Sequence, residues 1–304
     1  MSLRKTIKRL IKKATTLAST PAVGIKYNEN SCFPPGHYYS PIVNVEEVKK
    51  REDEIWGKSD LDGIEGINLR SSKQIEFLKS LSIYYKDLPF TVEKSKGKRY
   101  YYNNHFYSYT DAIVLHSIIR YKNPKQILEI GSGFSSAVML DTNELFFNNS
   151  IQLTFVEPYP ERLYGLMSDT DKQKVQVLEQ FVQNVPLEKF MELAAGDILF
   201  IDSTHVAKTG SDVNYLIFQV LPVLKPGVLI HFHDIFYPFE YPKKWVMKGR
   251  NWNENYFLRS FLMYNDTFDI LLFSDYLHRL HPEAFIEMPL TRKSFGGNLW
   301  LEKK

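Results

Sequence analysis

Downstream of about residue 100, short apolar runs alternate with stretches of helical periodicity. Runs at 127–130, 151–157, 175–178, 197–202 and 228–232 read as strands, several of them continuously apolar, as strands buried on both faces are. Between them, residues 135–140, 160–172 and 214–224 read as helices. Residues 109–120 predict an amphipathic helix before the first strand, with Ala112, Leu115, Ile118 and Ile119 facing inward. Strands alternating with helices predict a parallel sheet with right-handed crossovers. Two further strands, at 268–273 and 298–301, show no clear helix between them and predict a closing hairpin. The expected fold is α/β, a seven-stranded, mostly parallel, doubly wound sheet ending in a C-terminal antiparallel hairpin.

Residues 1–100 read as a mainly helical N-terminal extension and 101–304 as the main domain. Residues 1–18 carry Arg4, Lys5, Lys8, Arg9, Lys12 and Lys13 with no acid, while Leu3, Ile7, Leu10, Ala14 and Leu17 recur at helical spacing. Such a helix suits an anionic membrane surface; the plainer reading is a frayed or partner-packed terminal helix. It lacks the uninterrupted apolar stretch of a secretory signal. Residues 19–44 are rich in Pro and aromatic side chains, and 43–56 and 71–85 predict two more helices.

Composition narrows the field. Hydrophobic residues at 44% and aromatic residues at 14% predict a packed core rather than disorder. A net charge of +3 gives no argument for nucleic acid. The single cysteine, Cys32, leaves no internal disulfide and fits a reducing compartment. No apolar run approaches the ~20 residues of a spanning helix, so the expectation is a soluble, cytoplasmic chain, with peripheral contact at the inner membrane surface through residues 1–18 left open.

The chemistry centres on Gln126-Ile-Leu-Glu-Ile-Gly-Ser-Gly-Phe-Ser-Ser-Ala. A buried strand breaks at Gly131-Ser132-Gly133, and a helix opens at Ser135, so free backbone N–H groups face whatever lies over the turn. Glycine there admits backbone angles closed to other residues and lets a ligand approach the main chain. A dinucleotide fingerprint would place a third glycine where Ser136 stands. Glu129 is expected to point into the pocket mouth, where it would repel a pyrophosphate but receive a cationic amino group. Glu157 ends the next strand, placed to take both hydroxyls of a ribose.

Glu-x-Gly-x-Gly followed by a strand-ending Glu resembles the class I S-adenosylmethionine-dependent methyltransferases. The resemblance implies S-adenosyl-L-methionine as cofactor, held by Glu129, Gly131, Ser132, Gly133, Ser135 and Glu157. Residues 181–186 resemble the segment whose glutamine meets the adenine, implicating Gln183. The helix before the first strand often caps the methionine end in this family, which brings in Tyr109 and Asp111; for both, a plain helix-start role is equally open. Reacting atoms should sit over the carboxyl ends of the central strands, where Asp202, His205, His233 and Asp234 fall. Residues 197–205 look like the segment of catechol O-methyltransferase and its relatives in which an aspartate binds metal and a basic residue three positions later deprotonates the acceptor. That puts Asp202 in the metal place and His205 in the base place. Asp234 falls on a second metal-binding aspartate, but Ile235 stands where that family has an asparagine, so a divalent metal is not assigned.

Segments 32–41, 200–205, 210–215 and 233–242 are similar to a bacterial group of such enzymes found among sugar- and polysaccharide-modifying genes. A small-molecule or glycan hydroxyl is the acceptor this implies. Phe236, Tyr237, Phe239, Tyr241, Trp245, Trp252 and Tyr256 then read as a roof over the acceptor pocket, or as packing against the N-terminal extension. Lys243, Lys244, Lys248 and Arg250 read first as solvated charge, and alternatively as meeting an acidic acceptor. A nicotinamide dehydrogenase and a non-catalytic membrane-surface protein keeping the fold stand as the competing classes. The oligomeric state is not legible.

Overall fold

The computed structural model describes residues 31–57 and 62–304. The basic helix expected over residues 1–18 lies outside the described residues, as does the start of the aromatic segment from residue 19. The chain divides into two compact units, Met1–Val48 and Lys49–Lys304. In the first, residues 32–42 run through turns in which Phe33 stacks on His37 at 4.8 Å and His37 on Tyr38 at 4.3 Å.

The second unit carries one seven-stranded sheet in the order β3-β2-β1-β4-β5-β7-β6. Its strands are β1 (Gln126–Ile130), β2 (Gln152–Val156), β3 (Gln176–Leu178), β4 (Ile198–Ile201), β5 (Leu229–His233), β6 (Phe268–Phe273) and β7 (Asn298–Lys303). The first five pair in parallel, and β7 runs antiparallel between β5 and β6. Every residue of β4 and β5 is buried, and each Leu, Ile or Phe removed from water there contributes roughly 1.5–3 kcal/mol. The sheet therefore matches the expected α/β architecture.

Among the helices of this unit are α1 (Ser71–Leu81), α2 (Tyr109–Lys122) and α3 (Phe134–Phe147). The helix before β1 departs from expectation in one respect. Residues 110–119 of α2 are all buried, rather than one stripe of them. Described residues of the second unit before 100 form a layer over the face that would otherwise meet water: α1 and the 3-10 turn Ser82–Asp87 both pack on α2. That layer is tied to the sheet at Gln74, whose Nε2 donates to Leu69 O at 2.5 Å while its Oε1 accepts from the Phe273 amide at 2.7 Å.

The strands β6 and β7 form the expected antiparallel pair, but no tight turn joins them. The connection contains helix Ser274–Leu280 and two 3-10 turns, Pro282–Phe285 and Pro289–Lys293. Ser274, Asp275, Tyr276, Leu277 and His278 are all buried, so this helix has no polar face to give it a readable period. The helix expected over 43–56 breaks at Arg51 into Val45–Lys50 and Glu52–Trp56.

Residues 99–108 form the bridge from the covering layer to the site. The Arg99 guanidinium is mostly buried and pairs with Asp141 at 2.7 Å and with Asp171 and Glu144 at 2.6 Å each. Burial works against that charge, but the surrounding carboxylates overcome it. Tyr100 then donates its hydroxyl to Tyr107 O at 2.8 Å, and Asn104 Oδ1 accepts from the Tyr107 amide at 2.7 Å. This chain of bonds fixes the His105-Phe106-Tyr107 loop over the end of β1.

Candidate active site

Four strand ends converge where the chain order of the sheet reverses, with β1 and β4 side by side. This switch point is where open α/β sheets bind ligands. Gly131 follows β1, Glu157 follows β2, Asp202 follows β4, and His233 ends β5. A cavity of about 630 Å³ opens above them. A second, of about 370 Å³, lies beside it and shares Gly131, Glu157, Asp202, Ser203 and Thr204.

Gly131 is obligatory at this junction. Its φ is +79, and a Cβ there would collide with the carbonyl oxygen of Asp202. Glu157 sits at the boundary of the two cavities with its carboxylate held by main chain: Oε2 accepts from the Ser132 amide at 3.0 Å and Oε1 from the Tyr159 amide at 2.9 Å. Each oxygen keeps acceptor capacity toward the cavity. Ser132, Gly133 and Ser135 line the larger cavity, and Gln183 lines the smaller. The Nε2 of Gln183 donates to Gly210 O at 2.9 Å.

Three expected contacts fall elsewhere. Glu129 is fully buried and lines neither cavity. Its carboxyl is turned under the glycine turn, where it accepts from the Ser135 hydroxyl at 2.6 Å and from the Ser136 hydroxyl. These hydroxyls, brought over it by the first turn of α3, draw it away from the mouth. Burial pushes its pKa up to about 8, with the two serines pulling the other way. Tyr109 also lines neither cavity: it stacks on Tyr102 at 4.9 Å, and Lys293 lies 5.1 Å over its ring. The loop before α2 supplies the lining instead, through His105, Phe106 and Tyr107. Asp111 is buried and accepts from the Gly297 amide and from Asn298 Nδ2, at 3.1 and 2.8 Å.

The expected chemical residues do come together. His205 Nδ1 lies 2.8 Å from Glu254 Oε2, while its Nε2 lies 3.4 Å from Asp202 Oδ1 and 3.7 Å from Asp234 Oδ2. His233 Nε2 lies 3.6 Å from Asp234 Oδ1. Burial works against a charge on His205, but Asp202, Glu254 and Asp234 raise its pKa well above the ordinary value. Burial likewise opposes the charge of Asp202, yet His233 and His205 outweigh it and hold that carboxyl low. For Asp234 burial wins, and its pKa is raised. Both His205 (φ 60) and Asp234 (φ 56) occupy the left-handed region, which costs a non-glycine residue about 1–3 kcal/mol and tends to persist where a site requires it. The backbone of His205 is pinned there by the amides of Asn253 and Glu254, which both donate to its carbonyl, at 3.0 and 3.2 Å.

Glu254 was not legible as a site residue. It stands in the helix Glu254–Leu262, almost fifty positions from its partner, and only the fold joins them. The aromatic segment after β5 both roofs the cavity, through Trp245 and Trp252, and packs on the covering layer. Trp56 Nε1 donates to Tyr241 O at 2.9 Å, and Lys243 pairs with Glu52 at 2.6 Å. Trp252 lies 4.4 Å from the His205 ring.

The polar lining fits a nucleoside ligand rather than a dry crevice. Ser203 Oγ and Gln183 Oε1 are buried around these cavities without a hydrogen-bond partner among the described residues. Buried polar atoms are otherwise nearly always paired. A metal fits less well. Among the described residues no three His, Cys, Asp or Glu side chains are gathered to hold an ion, and Ile235 is wholly buried in the core.

A parallel sheet with a glycine turn, a strand-ending acid and polar groups over β4 and β5 is the architecture of a doubly wound domain with a ligand site at its switch point. Residues 128–235 match the family described as a methyltransferase domain. An uncharacterized protein of Archaeoglobus fulgidus is 36% identical over 163 residues, a match covering 53% of this chain and 73% of the relative. Residues 128–235 are therefore a methyltransferase domain. Among solved structures, the chain is similar to a putative O-methyltransferase from Klebsiella pneumoniae (15% identity, 76% of this chain and 90% of that one, TM-score 0.42). It is also similar to the S-adenosylhomocysteine-bound methyltransferase PaMTH1 of Podospora anserina (16% identity, 85% and 96%, TM-score 0.39). No helix among the described residues is long and apolar enough to cross a membrane.

Proposed function

We propose that this enzyme is an O-methyltransferase that acts on a hydroxyl of a small molecule or sugar, with His205 as general base. The observation that carries the reading is the His205 imidazole, fixed by Glu254 on one nitrogen and turned to the Asp202–Asp234 side of the cavity with the other. In this reading Glu157 takes the ribose hydroxyls, Gln183 borders the adenine, and the Gly131-Ser132-Gly133 turn carries the amino-acid end. S-adenosylmethionine, when bound, supplies an electrophilic methyl group on a positively charged sulfur. The protein's own tasks are alignment, exclusion of water and removal of the acceptor proton. Asp202 and Asp234 provide negative charge beside the reacting centre, and Trp245 and Trp252 close the roof.

Glu129 takes a positioning role here, tying the start of α3 to the end of β1. With its pKa at about 8, it is mostly protonated at pH 7, and glutamine matches that form in shape and charge. The Glu129→Gln variant should therefore bind S-adenosylhomocysteine within about threefold of wild type at pH 7. A folded pKa raised from 4.5 to about 8 stabilises the protein at low pH, and that contribution is lost as pH rises through this window. Unfolding midpoints between pH 5 and 9 should thus be flatter in Glu129→Gln; an unchanged slope would show the carboxyl is already ionised.

Isothermal titration with S-adenosylhomocysteine and, separately, NADH tests the reading as a whole. Saturable binding of the first and none of the second is expected, and the reverse pattern would return the protein to the dehydrogenases.

A further inference from the structure

We propose that the acceptor carries an oxyanion, a carboxylate or phosphate group, and that Arg250 grips it at the cavity mouth. This rests on the methyltransferase reading above and names the substrate class of the same site.

Arg250 is set apart from the other cations of its loop. Its guanidinium lies 4.2 Å from the ring centre of Trp245 and 4.8 Å from that of Trp252. The two indoles meet edge to face at 5.4 Å, so they form an angled seat for a flat cation. All three side chains line the larger cavity. Lys243, by contrast, is spent on Glu52. Among the described residues Arg250 forms no ion pair. A guanidinium stacked on aromatic faces keeps its N–H edge free, and that edge matches a carboxylate or phosphate in bidentate fashion.

Position supports the same assignment. Trp252 touches the His205 ring at 4.4 Å, so the Arg250 seat stands one side chain away from the proposed base. A hydroxyl at His205 and an anion at Arg250 could therefore belong to one compact molecule. The acids of the cavity do not serve this cation: Asp202 and Asp234 face His205, and Glu157 is held by the amides of Ser132 and Tyr159. The second arginine of the cavity lies toward the nucleoside side. Arg162 stacks over Phe106 at 4.0 Å, and its Cδ borders Gly133. It is the natural partner for the carboxylate of the donor, which leaves Arg250 for the acceptor.

The test uses full-length protein saturated with S-adenosylhomocysteine and follows tryptophan fluorescence, since Trp245 and Trp252 flank the cation. D-galacturonate and D-glucose 6-phosphate are titrated against neutral D-galactose and D-glucose, which separates the carboxylate from the phosphate. A saturable change is expected with at least one anionic sugar, at least about tenfold weaker with its neutral counterpart. Arg250→Gln should lose that preference and Arg250→Lys regain part of it, while both keep wild-type affinity for S-adenosylhomocysteine within about threefold. Equal response to neutral sugars, no saturable response to either anion, or an unaltered preference in Arg250→Gln overturns the proposal. So does a loss of S-adenosylhomocysteine affinity in Arg250→Gln with sugar binding unchanged, which would give Arg250 to the donor. Failure of the wild-type protein to bind S-adenosylhomocysteine at all would instead remove the reading beneath it.

Discussion

Glu157→Ala should lower the affinity for S-adenosylhomocysteine by at least about 100-fold, because two hydrogen bonds to a charged acceptor are each worth roughly 1.5–3 kcal/mol. The carboxylate already accepts two backbone amides, from Ser132 and Tyr159, and these fix its orientation without using up its lone pairs. Removing it also releases the Ser132 amide at the glycine turn. Titration calorimetry reads the loss directly. Glu157→Gln should fall between, since one side of its amide donates rather than accepts. If Glu157→Ala binds like wild type, the ribose does not lie at the end of β2.

His205→Ala should cut kcat by roughly 10³-fold, within the 10²–10⁴ range typical of a positioned general base, while leaving S-adenosylhomocysteine affinity nearly intact. The pH dependence carries more information. The neutral imidazole is the active base, and Asp202, Glu254 and Asp234 together hold its pKa above that of an ordinary histidine. Activity should therefore rise with pH through that elevated pKa and level off above it. Glu254→Gln removes one of the carboxylates that raise it, so the acid limb should move to lower pH even as kcat at the plateau drops about tenfold from poorer alignment. A variant that lost only structure would drop without moving. A profile with no dependence on His205 ionisation would transfer the base role to Asp202 or Asp234.

The readable parts of this chain were those set by local pattern. The strand at 127–130, the break at Gly131-Ser132-Gly133 and the acid at 157 are consecutive consequences of burial, backbone freedom and strand length, and the structure has all three in register. The placing of Asp202, His205, His233 and Asp234 followed from where strands four and five end. What stayed hidden depends on contacts across the fold. Glu129 could not be seen to turn inward, because its partners Ser135 and Ser136 meet it only once α3 winds over the strand end. Tyr109 stands at a helix start that local pattern reveals, whereas the loop before it that lines the cavity is held by Asn104 and carries no such pattern. The helix at Ser274–Leu280 is buried almost throughout, which erased the polar stripe that reveals a surface helix.

Crystals of the protein grown with S-adenosylhomocysteine would test the central claim most directly. The account predicts the ribose on Glu157, the adenine beside Gln183, and the sulfur turned toward His205 and Asp202 beneath Trp252. Density for the nucleoside anywhere but over Gly131, or a thioether facing away from His205, would contradict it.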